Sequence, residues 1–429
     1  MKFTADLHIH SKFSRATSPD LNPENLWVWA QRKGLQVVAT GDCIHPEWLD
    51  ELENRLEPAE PGFFALKSKL AKPLEKQLPR ACRSDVRFVL STEISSIYKK
   101  NDVVRKIHNV VVLSSVAAAR RFQKKLGAIG NIKSDGRPIL GLDAKDLLEI
   151  ALECDAQTLF IPAHIWTPWF SVLGSKSGFD SITECFEDLT RHIFALETGL
   201  SSDPAMNWRL KQLDPFVLVS NSDAHSASKL AREANLFDCE FSYDGMYRAL
   251  SDRKDKGFKG TIEFFPEEGK YHFDGHRECQ VRLHPRDTQK HNGLCPSCGK
   301  PVTVGVMARV EELADRAEGE KGKNARPFFS LIPLEEIIAE ARGVGKTSKK
   351  VSAAYFETLT KLGPELRILL DLPLKEIQAA AGDLVAEGVR RMRAGQVKIA
   401  AGYDGEYGKV EIFGEGERKD IEGQLTLFD

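Results

Sequence analysis

The chain has 429 residues, of which 42% are hydrophobic and 28% are charged, and its 60 Lys and Arg residues nearly balance 62 Asp and Glu residues. This composition is typical of a folded globular protein and excludes a chain that is disordered throughout. The net charge of −2 is not that of a simple nucleic-acid coat protein, so contacts with DNA or RNA would need a local basic patch. At about 150 residues per domain, the length predicts two or three domains.

The sequence also indicates a cellular compartment. It contains no run of 18 apolar residues and no secretory signal at its start, so we expect no membrane association. Eight cysteines in a chain of this length are too sparse for a disulfide scaffold, which favours a reducing, cytoplasmic environment.

The first 260 residues alternate short apolar runs with helical patterns, which predicts an α/β fold with parallel strands and outer helices. Asn22 and Pro23 form a typical helix start, and residues 143–154 and 204–212 are further helix candidates. About seven units in this length favour a closed barrel over an open sheet. The predicted strands are residues 3–9, 35–40, 86–90, 109–113, 158–162, 193–197 and 216–220.

The composition changes near residue 266, where a turn-rich break begins a compact segment containing cysteine and histidine. A mostly helical pattern follows, and two short strands are expected near its end, at residues 397–401 and 409–413. The predicted division is therefore a barrel (1–265), a zinc-binding segment (266–305), a helical C-terminal region (306–413) and a flexible charged tail (414–429).

Histidines and carboxylates recur at the ends of the predicted strands. His8 and His10 are two residues apart on the first strand, so their side chains face the same side. Seven more candidates follow at other strand ends: Asp42, His45, Glu93, His108, His164, Asp223 and His225. The alternative is that these are unrelated polar loop residues, but so many matching positions make that coincidence improbable.

Imidazole and carboxylate ligands together suit zinc, manganese or iron. The candidates exceed the needs of one tetrahedral site, so we predict two or three divalent ions (Zn, Mn or Mg). Closely spaced ions of this kind typically clamp a phosphate and activate water, which predicts hydrolysis of a phosphoester. We assign Asp223, Glu93 and His225 to catalysis.

Cys295 and Cys298 form a C-x2-C pair followed by glycine, the pattern of a zinc-binding turn, and Cys279 lies sixteen residues earlier. Arg282 stands where a fourth cysteine would complete a four-cysteine ribbon. We therefore favour His276 as the fourth ligand of a structural zinc ion, with His284 and His291 as competing candidates. The alternative is a reduced turn without a metal.

Two stretches near the candidate ligands could contact DNA. A basic stretch between Glu93 and His108 could bind phosphates; it contains Tyr98, Lys99, Lys100 and Arg105, followed by Lys106. Three aromatic residues directly after His164 could stack on a base drawn out of the helix, although core packing under the loop is equally compatible with them. They are Trp166, Trp169 and Phe170.

The motif Asp-x-His-x-His at residues 6–10, with Glu93, His164 and Asp223-x-His225, resembles the PHP (polymerase and histidinol phosphatase) superfamily. That resemblance implies a distorted (β/α)7 barrel with a trinuclear metal site. His8, His10, Glu93 and Asp223 would hold one ion, and Glu93 would bridge to a second ion held by His108 and His164. His225 would join a third site, completed by Asp42, His45 or both. The second strand departs from the usual Asp-His pattern, since Cys43 follows Asp42.

Over nearly its whole length the chain resembles the endonuclease Q family. The resemblance rests on residues 40–46, 198–204 and 221–226, and also on 274–277, 295–299, 309–316 and 402–405. It implies cleavage of double-stranded DNA on the 5′ side of deaminated bases (hypoxanthine, uracil, xanthine) and of abasic sites. The alternatives are a PHP phosphatase acting on a small phosphomonoester and a non-catalytic DNA-binding scaffold.

The C-terminal tail ends in an apolar patch that a solvated tail does not need. Gln424, Leu425, Leu427 and Phe428 resemble the pentapeptide with which bacterial DNA-processing proteins bind the sliding clamp. Such a peptide docks in extended form, with its apolar side chains in a pocket. We therefore expect the clamp as a partner and a cytoplasmic, nucleoid-associated location.

Overall fold

A computed structural model describes residues 1–414, 416–418 and 421. The strands are β1 (Lys2–Asp6), β2 (Val37–Ala39), β3 (Leu56–Pro58), β4 (Phe64–Leu66), β5 (Arg87–Lys100), β6 (Val103–Leu113), β7 (Ile139–Leu140), β8 (Leu159–Pro162), β9 (Ala195–Glu197), β10 (Val217–Val219), β11 (Ala234–Asp238), β12 (Phe258–Glu263), β13 (Asp274–His276), β14 (Val281–Leu283), β15 (Phe328–Ser330), β16 (Lys398–Ala400) and β17 (Lys409–Glu411).

The helices are α1 (Pro23–Lys33), α2 (Pro46–Arg55), α3 (Ser68–Leu74), α4 (Val116–Ile129), α5 (Ala144–Cys154), α6 (Ile182–Phe186), α7 (Pro204–Asn207), α8 (Tyr243–Ser251), α9 (Pro285–Lys290), α10 (Val306–Leu313), α11 (Leu334–Arg342), α12 (Lys349–Leu362), α13 (Glu365–Leu370), α14 (Leu374–Ala381) and α15 (Asp383–Arg393). Within the described part of the chain, none of these helices could cross a membrane.

The predicted mixed α/β fold is confirmed, and each of the seven predicted strand segments contains a strand. Asn22 caps α1 as predicted, since its side chain accepts a hydrogen bond from the Asn25 N–H at 3.0 Å. The helix predicted at 204–212 is shorter than expected, because α7 ends at Asn207.

The main sheet combines parallel and antiparallel strands. β1, β2 and β5 are parallel neighbours, whereas β6 is antiparallel to both β5 and β8. The prediction of parallel strands is therefore wrong for β6. Asn101 and Asp102 both have positive φ angles, as a two-residue hairpin turn of type I′ requires, so β6 folds straight back along β5.

The strands that carry the site follow one another around a ring. β1, β2, β5, β6 and β8 are hydrogen-bonded in that order, and the Ile165 N–H bonds to the Glu197 carbonyl of β9. β9 pairs with β10 in parallel, and a bridge between Ile9 and Ala224 returns to the end of β1.

The sheet also extends beyond the predicted barrel. β11 and β12, which the sequence did not indicate, add two antiparallel strands beside β1. β15 follows the cysteine segment in sequence, yet it pairs in parallel with β12. The sheet therefore includes residues from the region that the sequence assigned to a separate C-terminal unit.

The predicted helical C-terminal region is confirmed as α11 to α15, followed by the hairpin of β16 and β17. Lys33 at the end of α1 forms a buried ion pair with Glu365 of α13, with an N–O distance of 2.6 Å. The Tyr355 hydroxyl and the Leu334 N–H also donate to Glu365. The ion pair joins the helical region to α1, which lies between β1 and β2 in sequence.

Candidate metal centre

Six side chains converge in two groups at one end of the strand ring. We call His8, His10 and Asp223 the first triad, and Glu93, His108 and His164 the second triad. In each triad one ligand atom per residue lies within 4.8 Å of the others. The structure thus brings together six of the nine residues that the sequence predicted as metal ligands.

Glu93 links the two triads. Its Oε1 lies 2.6 Å from His108 Nδ1 and 3.2 Å from His164 Nε2, while its Oε2 lies 3.5 Å from His8 Nε2 and 3.3 Å from His10 Nε2. Burial by itself raises the pKa of this carboxyl, but the surrounding imidazoles outweigh it and hold the pKa well below its usual range. Glu93 is therefore an anion with one oxygen turned towards each triad.

The first triad has the electronic features of a cation site. His8 Nε2, His10 Nε2 and Asp223 Oδ1 are buried and have no hydrogen-bond partner within the described residues. Unpaired buried polar atoms are costly, and three that converge on one point fit a bound cation. The imidazole and carboxylate donors suit zinc or manganese.

The antiparallel direction of β6 explains how His108 reaches this rim. We expected His108 at the start of a strand, but it lies inside β6, opposite Ser95 of β5. An antiparallel strand presents its first half at the edge where parallel strands end. His108 therefore meets Glu93 although it does not stand at a carboxyl end.

The backbone is strained at several of these positions. Asp42, His164 and Asp223 have φ angles of 49°, 30° and 47°, in the left-handed region that side-chain-bearing residues rarely adopt. Such conformations persist where the surrounding structure enforces them, and they cluster at functional sites.

Two carboxylates hold the histidines of the first triad from behind. Glu197 accepts from His8 Nδ1 at 3.0 Å, and it also accepts the backbone N–H of His164 at 2.8 Å. Asp42 Oδ1 lies 3.3 Å from His10 Nδ1, and its other oxygen accepts from Ser11 at 2.6 Å. A carboxylate on the far ring nitrogen fixes the tautomer and orientation of a ligating histidine.

Glu197 is not among the residues predicted from the sequence. It stands at the carboxyl end of the predicted strand 193–197, so the rule that identified the other candidates could have found it. Asp42 was predicted as a ligand, and the structure places it behind His10 and outside both triads.

The structure brings neither His45 nor His225 into a triad. His45 Nε2 lies 3.1 Å from the Lys133 carbonyl oxygen, and its ring stacks on Phe13. His225 lies at the rim with 37% of its side chain exposed. Its Nδ1–H donates to the Asp223 carbonyl at 2.8 Å, and its ring packs against His10.

The predicted aromatic contacts with DNA separate into two groups. Trp166 is 1% exposed and its indole N–H donates to Asn207 at 2.8 Å, so the structure contradicts the predicted base contact for this residue. Trp169 is 52% exposed, and Phe170 packs on His108 with 4.6 Å between ring centroids. The loop therefore places Phe170 next to the second triad and leaves Trp169 exposed to solvent.

The basic stretch was predicted to lie beside the proposed metal ligands. The structure instead places it at the tip of the long β5–β6 hairpin. Lys99 is six residues from Glu93 along an extended strand, which corresponds to about 20 Å. Lys100 is paired with Glu187 at 2.8 Å, Arg105 stacks on Phe179, and the Tyr98 hydroxyl contacts Cys185. Lys106 is on the same strand face as His108, and its ammonium lies over the Phe170 ring. It is therefore nearer to the second triad than Lys99 and Lys100 are.

A third group of side chains lies in the cysteine segment. His276, Cys279, Cys295 and Cys298 place one ligand atom each within 4.8 Å of one another. Backbone N–H groups of Ser297 and Cys298 lower the pKa of the Cys295 thiol although burial opposes them, and a lowered pKa favours the thiolate that binds metal. Three sulfurs and one imidazole form a common structural zinc set.

The other two candidate zinc ligands lie elsewhere. The His284 ring accepts the Arg286 N–H at 3.3 Å and caps α9, and His291 follows the end of that helix. Neither joins the group formed by the three cysteines. The geometry thus selects His276, which the end of β13 carries towards Cys298.

The fold and the two triads define a metal-dependent enzyme of the α/β class. Over 99% of both chains, the structure superposes with a TM-score of 0.83 and 31% identity on the lesion-specific endonuclease PfuEndoQ from Pyrococcus furiosus. It superposes with a TM-score of 0.81 and 32% identity on an endonuclease Q bound to a 27-mer duplex with an abasic lesion at the active site, covering 97% of this chain and 98% of that one. The chain belongs to the endonuclease Q family, which confirms the resemblance seen in the sequence.

Two further comparisons concern parts of the chain. Residues 333–396 match the family model of the MJ0043 C-terminal domain, and they correspond to α11 to α15. The uncharacterised protein MJ0043 of Methanocaldococcus jannaschii is 33% identical over 257 residues, which is 58% of this chain. This chain spans only 31% of the length of that relative.

Proposed function

We propose that the protein is a DNA repair endonuclease that hydrolyses the phosphodiester on the 5′ side of deaminated bases (hypoxanthine, uracil, xanthine) and of abasic sites. The observation that carries the proposal is the end-to-end similarity to a lesion-specific endonuclease, combined with two triads that are linked by Glu93. The ring of seven strands, β1-β2-β5-β6-β8-β9-β10, is the proposed barrel.

The residues of the two triads would hold two divalent ions, with Glu93 between them. Ions bound in this arrangement supply activation of water and neutralisation of phosphate charge. Glu197 and Asp42 keep His8 and His10 in the orientation that leaves both Nε2 atoms free for binding. His225 donates through Nδ1 to a carbonyl oxygen, and the Nε2 of a neutral imidazole in this orientation would be available to the proposed third ion site.

We assign the contacts with DNA to the exposed side of the second triad. Trp169 would stack on a base displaced from the helix, and Lys106 over Phe170 would contact a neighbouring phosphate. The cysteine segment would be a structural zinc site that, with the helical region, extends the surface available to the duplex. These assignments follow the proposed division into barrel (1–265), zinc-binding segment (266–305), helical region (306–413) and tail (414–429).

The direct test uses end-labelled duplexes that carry one uracil, hypoxanthine or abasic site, incubated with the protein and Mn²⁺, Mg²⁺ or Zn²⁺. Wild-type protein should nick 5′ to the lesion, whereas Asp223→Asn should abolish nicking and leave lesion binding largely intact. The matched control is Asp244→Asn, an exposed carboxylate at the start of α8, which should nick normally. If Asp223→Asn nicks the lesion duplex as well as the wild-type protein does, the metal mechanism is wrong.

The same samples distinguish the alternatives. Release of phosphate from a small phosphomonoester without nicking of damaged DNA would identify a PHP phosphatase. Metal analysis that finds one zinc per chain and no further ion would support a non-catalytic scaffold. Trp169→Ala should weaken binding to the uracil duplex by about 1–3 kcal/mol, while Phe329→Ala, an exposed aromatic on β15, should leave it unchanged.

The proposed clamp-binding residues, Gln424, Leu425, Leu427 and Phe428, lie outside the described residues. We propose that this tail recruits the protein to the sliding clamp at the nucleoid. Deletion of residues 424–429 should spare nicking and abolish clamp pull-down. If the truncated protein is still pulled down with the clamp, the tail is not the clamp-binding segment.

A further inference from the structure

Arg137 lies at the edge of the metal centre and belongs to neither triad. Its Nη1–H donates to Oε2 of Glu93 at 3.1 Å, the same oxygen that faces His8 and His10. The side chain is 29% exposed. Within the described residues this is the only hydrogen bond of the guanidinium, so the rest of its five N–H donors have no protein partner there.

The loop that carries Arg137 is fixed against the site. A Cβ at Gly136 would lie 2.3 Å from Asp42 Oδ2, so only glycine lets the backbone pass this close to that carboxylate. The Gly136 N–H donates to the Phe13 carbonyl at 2.9 Å, and Asp135 accepts the Arg137 N–H at 3.1 Å.

The loop is also held on its other side. The Pro138 carbonyl accepts the Ser95 N–H at 3.0 Å, and β7 then pairs with Ser95 and Ser96 of β5. This pairing starts two residues from Glu93 on the same strand. Backbone contacts on both sides of this loop therefore hold Arg137 next to Glu93.

We propose that Arg137 is a catalytic residue that binds the non-bridging oxygens of the scissile phosphate. This inference rests on the proposed function. A planar guanidinium with several free donors matches two phosphate oxygens at once, which an ammonium cannot do. Placed beside the carboxylate that links the two triads, it would meet a phosphate at the point where negative charge develops during hydrolysis.

The main competing role is structural, with Arg137 acting only as a counter-charge for Glu93. The two roles differ in their dependence on salt. A phosphate contact contributes about one unit to the slope of log K against log salt, whereas a counter-charge for a buried carboxylate contributes nothing to it. Binding measurements can therefore separate the two roles independently of turnover.

The experiment compares Arg137→Gln and Arg137→Lys with Lys133→Gln, which removes an exposed charge from the same loop. Affinity for an abasic duplex is measured from 50 to 200 mM salt in the Asp223→Asn background, and nicking is measured under single turnover in the wild-type background. Arg137→Gln should reduce the salt slope by about 1 and the nicking rate by about 10²–10³-fold. Arg137→Lys should restore the slope and only part of the rate, and Lys133→Gln should change neither.

An unchanged slope would overturn the inference, whether or not Tm and metal content fall with it, because that pattern is the counter-charge role. Failure of the wild-type protein to nick any lesion would instead overturn the proposed function. If the protein then releases phosphate from a small phosphomonoester, Arg137→Gln should raise the KM for that substrate at unchanged metal content. An unchanged KM would then also remove the phosphate contact.

Discussion

Glu197 Oε1 lies 3.0 Å from Nδ1 of His8, and this contact turns Nε2 of the same ring towards Glu93 and Asp223. Glu197 also accepts a hydrogen bond from the Asn221 side chain at 2.8 Å. The carboxylate therefore connects three strand ends, those of β1, β9 and β10, and it defines which nitrogen of His8 is free.

Replacing Glu197 with glutamine should weaken divalent metal binding by about 10–100-fold, since partners of this kind tune the basicity and orientation of a ligating histidine. Metal titration followed by elemental analysis measures the effect. Glu240→Gln, which alters an exposed carboxylate paired with Arg248, is the control and should bind metal normally. Equal affinities in both variants would show that Glu197 does not position His8.

The cysteine group should behave as a structural zinc site. Cys298→Ser should remove one zinc ion per chain and lower Tm, because a closed zinc site contributes folding free energy to a segment with little core of its own. Cys239→Ser changes a half-buried thiol outside the group and should retain the zinc. Full zinc content in Cys298→Ser would exclude this sulfur as a ligand.

Removal of only one partner of the ion pair between Lys33 and Glu365 should strongly destabilise the protein. Both side chains are buried, so Lys33→Met leaves an unpaired carboxylate and should destabilise the protein by about 3–5 kcal/mol. Burial raises the pKa of Glu365, but Lys33 outweighs it and lowers that pKa. The contribution is therefore present above the carboxyl's unfolded pKa and is lost as pH falls through the lower folded value.

A double-mutant cycle compares the free energies of unfolding in urea of the wild type, Lys33→Met, Glu365→Gln and the double variant Lys33→Met/Glu365→Gln. The double variant should be more stable than the sum of the single losses implies, since no charge remains unpaired. If the two single losses add up to the loss in the double variant, the two side chains have no coupling energy.

Glu263 should make stability depend on pH in the opposite sense. Its carboxyl is buried, with the hydroxyls of Ser220 and Thr261 at Oε1, and burial raises its pKa from 4.5 to about 8. Between these values the folded state binds more protons than the unfolded state, so stability falls as pH rises, by up to about 1.4 kcal/mol per pH unit.

Glu263→Gln should remove this dependence, because the amide has no proton to lose. The difference in Tm between the variant and the wild type should therefore increase in favour of the variant from pH 5 to pH 8. The exposed Glu240→Gln should follow the wild-type profile. Parallel profiles for Glu263→Gln and wild type would show that Glu263 is ionised throughout this range.

Much of the site follows from short-range pattern. The two-residue period of a strand puts His8 and His10 on one side, and the ends of predicted strands supply Glu93, His164 and Asp223. The C-x2-C spacing likewise indicates the turn formed by Cys295 and Cys298. These features depend on backbone geometry over a few residues, which composition and spacing describe well.

The remaining decisions needed contacts between distant segments. Local pattern could not show that β6 runs antiparallel and carries His108 to the rim, that His276 rather than His284 reaches the cysteines, or that Trp166 is buried. Nor could it place Arg137 beside Glu93, 44 residues earlier in the chain. The sequence by itself determined which side chains can bind metal and which way each strand turns them. The tertiary structure decided which of them meet, because strand order and loop packing depend on the whole core.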